Sequence, residues 1–250
     1  MKFCVCIKQV PDVSAPIQVR DGELVMDAGR TVLNAYDASA VEAALVLTAQ
    51  HGGEVDVLLI GPERATETVR KALAMGASGG THLVVPAGAE LDSAGVSALL
   101  AAELRDADYD VILAGKQSQD TDAGLAGAML AERLGLPYAT NAVGLEVEGG
   151  QVVVTRQGDG GQEILAVPTP CLVTCSNDMN DPRIPNLKGI MAAKKKPIDT
   201  RPAGELPAPQ VRTLRFEEVP GRQPGEVLDG DPAEMAAELV RRLDAANVLA

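Results

Sequence analysis

The densest set of groups able to hold an anion is GKQSQDTDAGLAG, Gly115–Gly127, directly after the apolar run Val111–Ala114. At a strand-to-helix turn, glycines let backbone N–H groups approach a ligand, and a helix N-terminus offers N–H groups with no carbonyl partner. Lys116 adds positive charge, so a phosphate is the expected ligand. The turn is not a Walker A loop, because GxxxxGK[ST] is absent. A plainer reading stays open, in which Asp120 or Thr121 merely caps a helix running to Leu134. Asn34-Ala35-Tyr36-Asp37 also stands before a helix, where Asp37 is open to the same reading as a cap.

A second stretch suits recognition rather than chemistry. DPRIPNLKGIMAAKKKPI, Asp181–Ile198, sets Leu187 between prolines and the run Lys194, Lys195 and Lys196. In one reading Pro182, Pro185 and Pro197 block helix and the lysines keep a loop solvated. In the other the prolines hold the segment extended, Leu187 anchors in a partner pocket, and the lysines steer an acidic partner. Charge and spacing alone favour the solvated loop.

Other chemistries lack material. With only His51 and His82 in the chain, neither a His-based metal site nor a His-centred nucleophile is expected. Cys4 and Cys6 share one face of an apolar strand, as do Cys171 and Cys175 of another, which marks reduced core thiols rather than a metal knuckle. A net charge of −13 and 2% aromatic content argue against nucleic acid, which needs a basic face and stacking rings. No apolar run reaches the roughly 20 residues of a membrane span. The N-terminus MKFCVCIKQVPD reads as a strand, not a signal peptide, so a cytoplasmic location is expected.

The elements that must position these groups follow from hydrophobic period. Strands are expected at Phe3–Lys8, Val55–Ile60, His82–Val85 and Val111–Ala114. Helices are expected near Ala38–Gln50, Thr66–Met75, Ser93–Arg105 and Thr121–Leu134, with Gly76 and Gly135 as stops. Asp21-Gly22 predicts a hairpin between Ile17–Val19 and Leu24–Met26. Continuous apolar strands alternating with helices imply parallel βαβ units under helices on both faces. After Pro137, the runs Val143–Val147, Gln151–Arg156, Glu163–Val167 and Cys171–Thr174 read as antiparallel structure extending the sheet. Proline-rich Arg201–Pro232 reads as an extended arm, and Pro232–Ala246 as a terminal helix with Met235, Leu239, Val240 and Leu243 on one face.

Several of these motifs together resemble the β subunit of electron-transfer flavoproteins. VTRQGDGGQEILAVPTPCLVT, Val154–Thr174, is similar to that family's diagnostic segment, carrying Arg156, Asp159-Gly160-Gly161, Glu163, Leu165, Pro170 and Thr174. LKGIMAAKKKPI resembles its recognition loop, and KQVPD at Lys8–Asp12, KALAMGA at Lys71–Ala77 and GKQSQDTD at Gly115–Asp122 fit in order. The resemblance runs to about Pro197, and the arm beyond fits by composition.

That resemblance implies an α/β fold with a mostly parallel, doubly wound, Rossmann-like sheet of the adenine-nucleotide-binding type, with an antiparallel extension and an extended C-terminal arm. It implies domains at 1–180 and 199–250, joined by a recognition loop at 181–198. It implies a larger α subunit sharing an FAD, and AMP bound in this chain. Cys6, Asn34, Ala35, Tyr36, Asp37 and Ile60 fall where the family contacts AMP. So does the loop Gly115, Lys116, Gln117, Ser118, Gln119, Asp120, Thr121, Asp122, Ala123, Gly124, Leu125 and Ala126. Gly124, Leu125 and Ala126 stand where many members carry polar residues, which leaves phosphate binding to backbone N–H groups, Asp122 and Thr121.

By the same resemblance, Leu187, Ile190, Met191, Lys194, Lys195 and Lys196 form the docking face for acyl-CoA dehydrogenase-type flavoenzymes. Val13 and Arg156 lie at the flavin and subunit interface, Val13 replacing a tyrosine. The implied role is an electron carrier in fatty acid oxidation, delivering to a membrane quinone oxidoreductase or similar acceptor, with no catalytic residue of its own. Two alternatives are a bifurcating flavoprotein with a second FAD in place of AMP, and a stand-alone adenine-nucleotide-binding domain.

Overall fold

A computed structural model describes residues 1–16, 18–25, 29–222 and 224–249. The apolar N-terminal run forms β1 (Lys2–Ile7), followed by the short strands β2 (Gln9–Pro11), β3 (Gln18–Arg20), β4 (Glu23–Val25) and β5 (Thr31–Leu33). Next come α1 (Ala35–His51), β6 (Glu54–Gly61), α2 (Thr66–Met75), β7 (Gly79–Val84), α3 (Ser93–Leu104), β8 (Val111–Gly115) and α4 (Ala126–Leu134). Then follow β9 (Tyr138–Glu148), β10 (Gln151–Gly158), β11 (Gly161–Pro168), β12 (Cys171–Cys175), α5 (Leu187–Ala193), β13 (Ile198–Pro202) and α6 (Pro232–Ala245). The hairpin expected around Asp21-Gly22 is β3 paired with β4, and its outer positions Ile17 and Met26 lie outside the described residues.

Among the described residues the main sheet has nine strands in the order β11-β10-β9-β12-β8-β1-β6-β7-β13. β1 pairs in parallel with β6 on one side and β8 on the other, so the winding reverses there. Side-chain alternation along β1 assigns the two layers. Phe3 and Val5 pack with Val41 and Ala44 of α1 and Val69 and Leu73 of α2, whereas Cys4 and Cys6 pack with Leu100 of α3 and Leu130 of α4. A fully buried leucine or phenylalanine such as Leu59, Leu113 or Phe3 contributes about 1.5–3 kcal/mol of transfer free energy. The doubly wound α/β architecture is thus present, with all four cysteines free and buried in the two layers.

Three local expectations change. Cys171–Thr174 does not continue the antiparallel run: β12 is parallel to both β8 and β9, and all its residues are buried. Continuous burial is the mark of an interior parallel strand. The helix expected from Thr121 starts at Ala126, leaving a longer loop before it. The segment around Leu187 is not extended but forms the short helix α5.

α5 is too short to be stable alone, so its order comes from what it touches. Asn186 caps it by accepting the Gly189 N–H at 2.9 Å, and Gly189 fits because any Cβ there would lie 2.6 Å from the Ala74 carbonyl. The Arg70 guanidinium donates to the carbonyls of Ala193 and Lys196, each at 2.7 Å. Lys196 Nζ in turn donates to the carbonyls of Leu73, Gly76 and Ala77, at and just beyond the end of α2, where helix carbonyls lack intrahelical donors. After this, β13 joins the sheet edge in parallel with β7.

The chain divides into two units, Met1–Arg215 and Phe216–Ala250. Within the second, Asp231 caps α6 by accepting the Ala233 N–H at 2.9 Å, Pro232 occupies its first turn, and no α6 residue is buried.

Lys196 therefore differs from its neighbours, although all three lysines look alike in sequence. Lys196→Met is expected to lose about 1–3 kcal/mol of unfolding free energy in urea, because charge-assisted bonds to helix carbonyls disappear. Lys195→Met, at an exposed position, is expected to stay within about 0.5 kcal/mol of the parent.

Candidate functional site

The carboxyl ends of β1, β6, β7 and β8 open into a cavity of about 740 Å³. This is the crevice where an open parallel sheet reverses its winding and takes ligands. Its floor is set by Asp37, buried in the first turn of α1. One carboxylate oxygen accepts the Lys8 N–H at 2.7 Å, and the other accepts the Gly115 N–H at 3.0 Å. The ends of β1 and β8 are thereby tied together. Burial pushes the carboxyl up to about 7, against the pull of hydrogen bonds from Asn34, Lys8 and Gly115. A Cβ on Gly115 would sit 2.2 Å from Asp37 Oδ1, so only glycine fits beneath this carboxylate.

Asn34 precedes α1 but makes no side-chain cap bond. Its amide is spent on the loop: Nδ2 donates to the Gln117 carbonyl at 2.9 Å, and Oδ1 accepts the Gln119 N–H at 3.1 Å. Gln119 Oε1 returns the tie by accepting the Ala35 N–H at 3.1 Å. Lys8 Nζ grips both oxygens of Asp120 at 2.8 and 2.9 Å. Asp122, in the left-handed region at φ 52°, accepts from the Gln117 side chain at 3.0 Å. The Ser118 N–H reaches the Ala123 carbonyl at 3.1 Å, and its hydroxyl pairs with that of Thr121 at 2.9 Å. These commitments explain why neither Asp120 nor Thr121 caps α4, whose preceding residue Leu125 makes no side-chain cap bond. The first N–H groups of α4 have no carbonyl four residues back and stand at the cavity wall through Ala126 and Gly127.

Cys6, Asn34, Asp37, Ile60, Gly115, Lys116, Gln117, Ser118, Thr121, Ala123, Gly124, Leu125 and Ala126 all line this cavity. Gln119 braces the loop through Ala35, and Asp120 and Asp122 brace it through their hydrogen bonds. Tyr36 packs at Gly115, where an added Cβ would lie 2.7 Å from Tyr36 Cβ. Sequence reasoning missed the residues Val85, Ala89–Ala94 and Val96, which also line the cavity, although their place after a parallel strand was a usable signal. Gln210, Val211 and Thr213, which also line the cavity, carried no local signal. Among the described residues, no group of three or more His, Cys, Asp or Glu side chains could hold a metal ion, and no helix is long and apolar enough to cross a membrane.

The second candidate region lies on α5. Leu187, Ile190 and Met191 are 75%, 44% and 53% exposed, and Ile184 beside them is more exposed still. Lys194 and Lys195 are exposed, while Lys196 is turned into α2. The platform beneath is fixed: the Arg183 guanidinium forks onto Glu42 of α1 at 2.7 and 2.8 Å, and Asn180 donates to the Ser39 carbonyl at 3.1 Å. Val13 is exposed on its turn. Arg156, at a β-bulge in β10, lies 3.4 Å from its cross-strand partner Glu163, and its Nε is buried with no hydrogen-bond partner among the described residues.

The Asp37 carboxyl carries a pH signature. Its folded value near 7 lies above the ordinary 3.8, so between these values the folded chain holds a proton that the unfolded chain has lost. Its contribution to stability therefore falls as pH rises through that window. Asp37→Asn sets an amide N–H against one of two backbone donors and is expected to cost about 1–3 kcal/mol. The fall in melting temperature between pH 5 and pH 8 is expected to be shallower in the variant, and an unchanged slope would assign it to another group.

The fold is consistent with the family that comparison with known proteins shows. The family described as electron transfer flavoprotein domain matches residues 23–206. The chain is 34% identical to the caffeyl-CoA reductase-Etf complex subunit CarD of Acetobacterium woodii, over 100% of both chains. It is 37% identical to the electron transfer flavoprotein subunit beta of Bradyrhizobium diazoefficiens, over 97% of both. It is 38% identical to the corresponding subunit of Mycobacterium leprae, over 81% of this chain and 79% of that one. With its doubly wound sheet and a braced loop at the winding reversal, the chain belongs to the electron transfer flavoprotein family, among the β subunits.

Proposed function

We propose that this chain is the β subunit of a heterodimeric electron carrier, completing an FAD site with an α subunit and holding AMP in the cavity above β1 and β8. The observation that carries this reading is the preorganised loop Gly115–Ala126, in which Gln117, Gln119, Asp120 and Asp122 are committed to hydrogen bonds while Lys116 and the first residues of α4 line the cavity. Such a wall suits a phosphate, and apolar Ile60, Val85 and Leu100 elsewhere in the lining suit an adenine. The Arg156 side chain, a third exposed on the antiparallel extension beside Glu163, supports a flavin and subunit interface there, since its guanidinium is free to meet an acceptor from outside the chain. FAD, when bound, supplies the redox chemistry; the chain orients it and excludes water.

In this reading, residues 216–250 wrap the α subunit, and α5 receives acyl-CoA dehydrogenase-type flavoenzymes in the cytoplasm. Delivery is to a membrane quinone oxidoreductase or similar acceptor. A second reading, with a second FAD in place of AMP, is favoured by the end-to-end similarity to the caffeyl-CoA reductase-Etf complex subunit. Purification with the α subunit, denaturation and quantification of released nucleotides separates the two. One FAD and one AMP per heterodimer support the carrier, and two FAD support the bifurcating complex.

Docking is tested at Leu187. Leu187→Ala is expected to weaken docking by about 2 kcal/mol while leaving flavin content and melting temperature near the parent, because the side chain is exposed in the free chain. Reduction by a partner dehydrogenase slows, and reduction by a small artificial donor does not. Wild-type reduction by the dehydrogenase would return α5 to a solvated surface helix.

A further inference from the structure

The segment after β13 turns back along the cavity. The Ala203 N–H bonds the Val84 carbonyl at 2.9 Å, and Pro207 comes against the first turn of α3 at Gly95. Beyond that, every residue from Ala208 to Arg215 is exposed, yet Gln210, Val211 and Thr213 form part of the cavity wall. Burial does not fix this strap. Asp92 holds it: Oδ2 accepts the N–H of Gln210 at 2.6 Å and of Val211 at 3.1 Å.

The same side chain caps α3, with Oδ1 accepting the Gly95 N–H at 2.8 Å. A cap needs one oxygen, which serine, threonine or asparagine supplies as well. The second oxygen is what distinguishes aspartate here. Backbone N–H groups occupy both oxygens, and those bonds hold the carboxyl below its ordinary range, the Gly95 bond first.

We propose that Asp92 is a positioning residue that latches residues 208–213 across the cavity and so sets how long a bound nucleotide stays. This rests on the reading of the cavity as a nucleotide site. The latch makes no contact with phosphate. It raises the barrier to exit, because the wall moves away only after both Oδ2 bonds break.

The test uses the heterodimer loaded with radiolabelled AMP and chased with unlabelled AMP. Asp92→Ser keeps a capping oxygen for α3 but does not reach the strap. It is expected to raise the AMP off-rate about tenfold or more and to speed amide exchange at Gln210 and Val211, with the melting temperature near the parent. Val211→Pro removes one strap donor without touching the cap and is expected to give a smaller increase. Parental off-rates in both variants, with AMP bound, overturn the latch alone. If the parental complex neither releases adenine nucleotide on denaturation nor takes up labelled AMP, the nucleotide reading fails and the latch with it.

Discussion

The structure depends on one buried carboxylate. Where β1 and β8 leave their pairing, the Lys8 and Gly115 N–H groups point into a crevice that has no strand to receive them. Buried donors without acceptors are costly, and Asp37 answers both at once. Its position follows from the first turn of α1, so the helix that begins there is also the clamp that sets the spacing of the two strand ends. The requirement for glycine at 115 and the raised carboxyl follow from the same close approach. The cavity is thus an outcome of how the sheet closes its own hydrogen bonds.

The loop above it uses the same economy. Its acidic residues look unsuited to a phosphate site, yet Asp120 is ion-paired with Lys8, Asp122 accepts from the Gln117 amide, and neither lines the cavity. What remains toward the cavity is Lys116 and the start of α4. Ordering is complete before a ligand arrives, which lowers the entropy lost on binding.

Much of this was legible because it is local. Phe3–Ile7, Val55–Ile60 and Val111–Ala114 announce buried parallel strands by continuous apolar runs, and Gly76 and Gly135 mark helix ends. The position of Gly115–Gly127 after a strand marked it as ligand-facing, and the family resemblance placed Asn34 and Asp37 beside it. What failed depended on distant partners. Thr121 looked like a cap until Asp120 met Lys8, 112 positions earlier. Cys171–Thr174 reads as more of the antiparallel structure, whereas β12 lies between β8 and β9, parallel to both. Lys196 resembled its neighbours until the end of α2 supplied three carbonyls. No local pattern encodes such pairings.

The platform around α5 suits the docking role proposed for it. Seven residues cannot hold a helix in water, and a flexible loop carrying Leu187 would lose much of its binding energy to ordering. Here the order is supplied before any partner arrives, by Arg183 on Glu42, Arg70 on two carbonyls and Lys196 on the end of α2. All the apolar area left over, at Ile184, Leu187, Ile190 and Met191, faces solvent. A small rigid patch binds through few contacts at low entropic cost and releases as readily, because the area buried is limited. Under the proposed carrier role, those are the kinetics required, since a carrier must leave each partner once the electrons have passed.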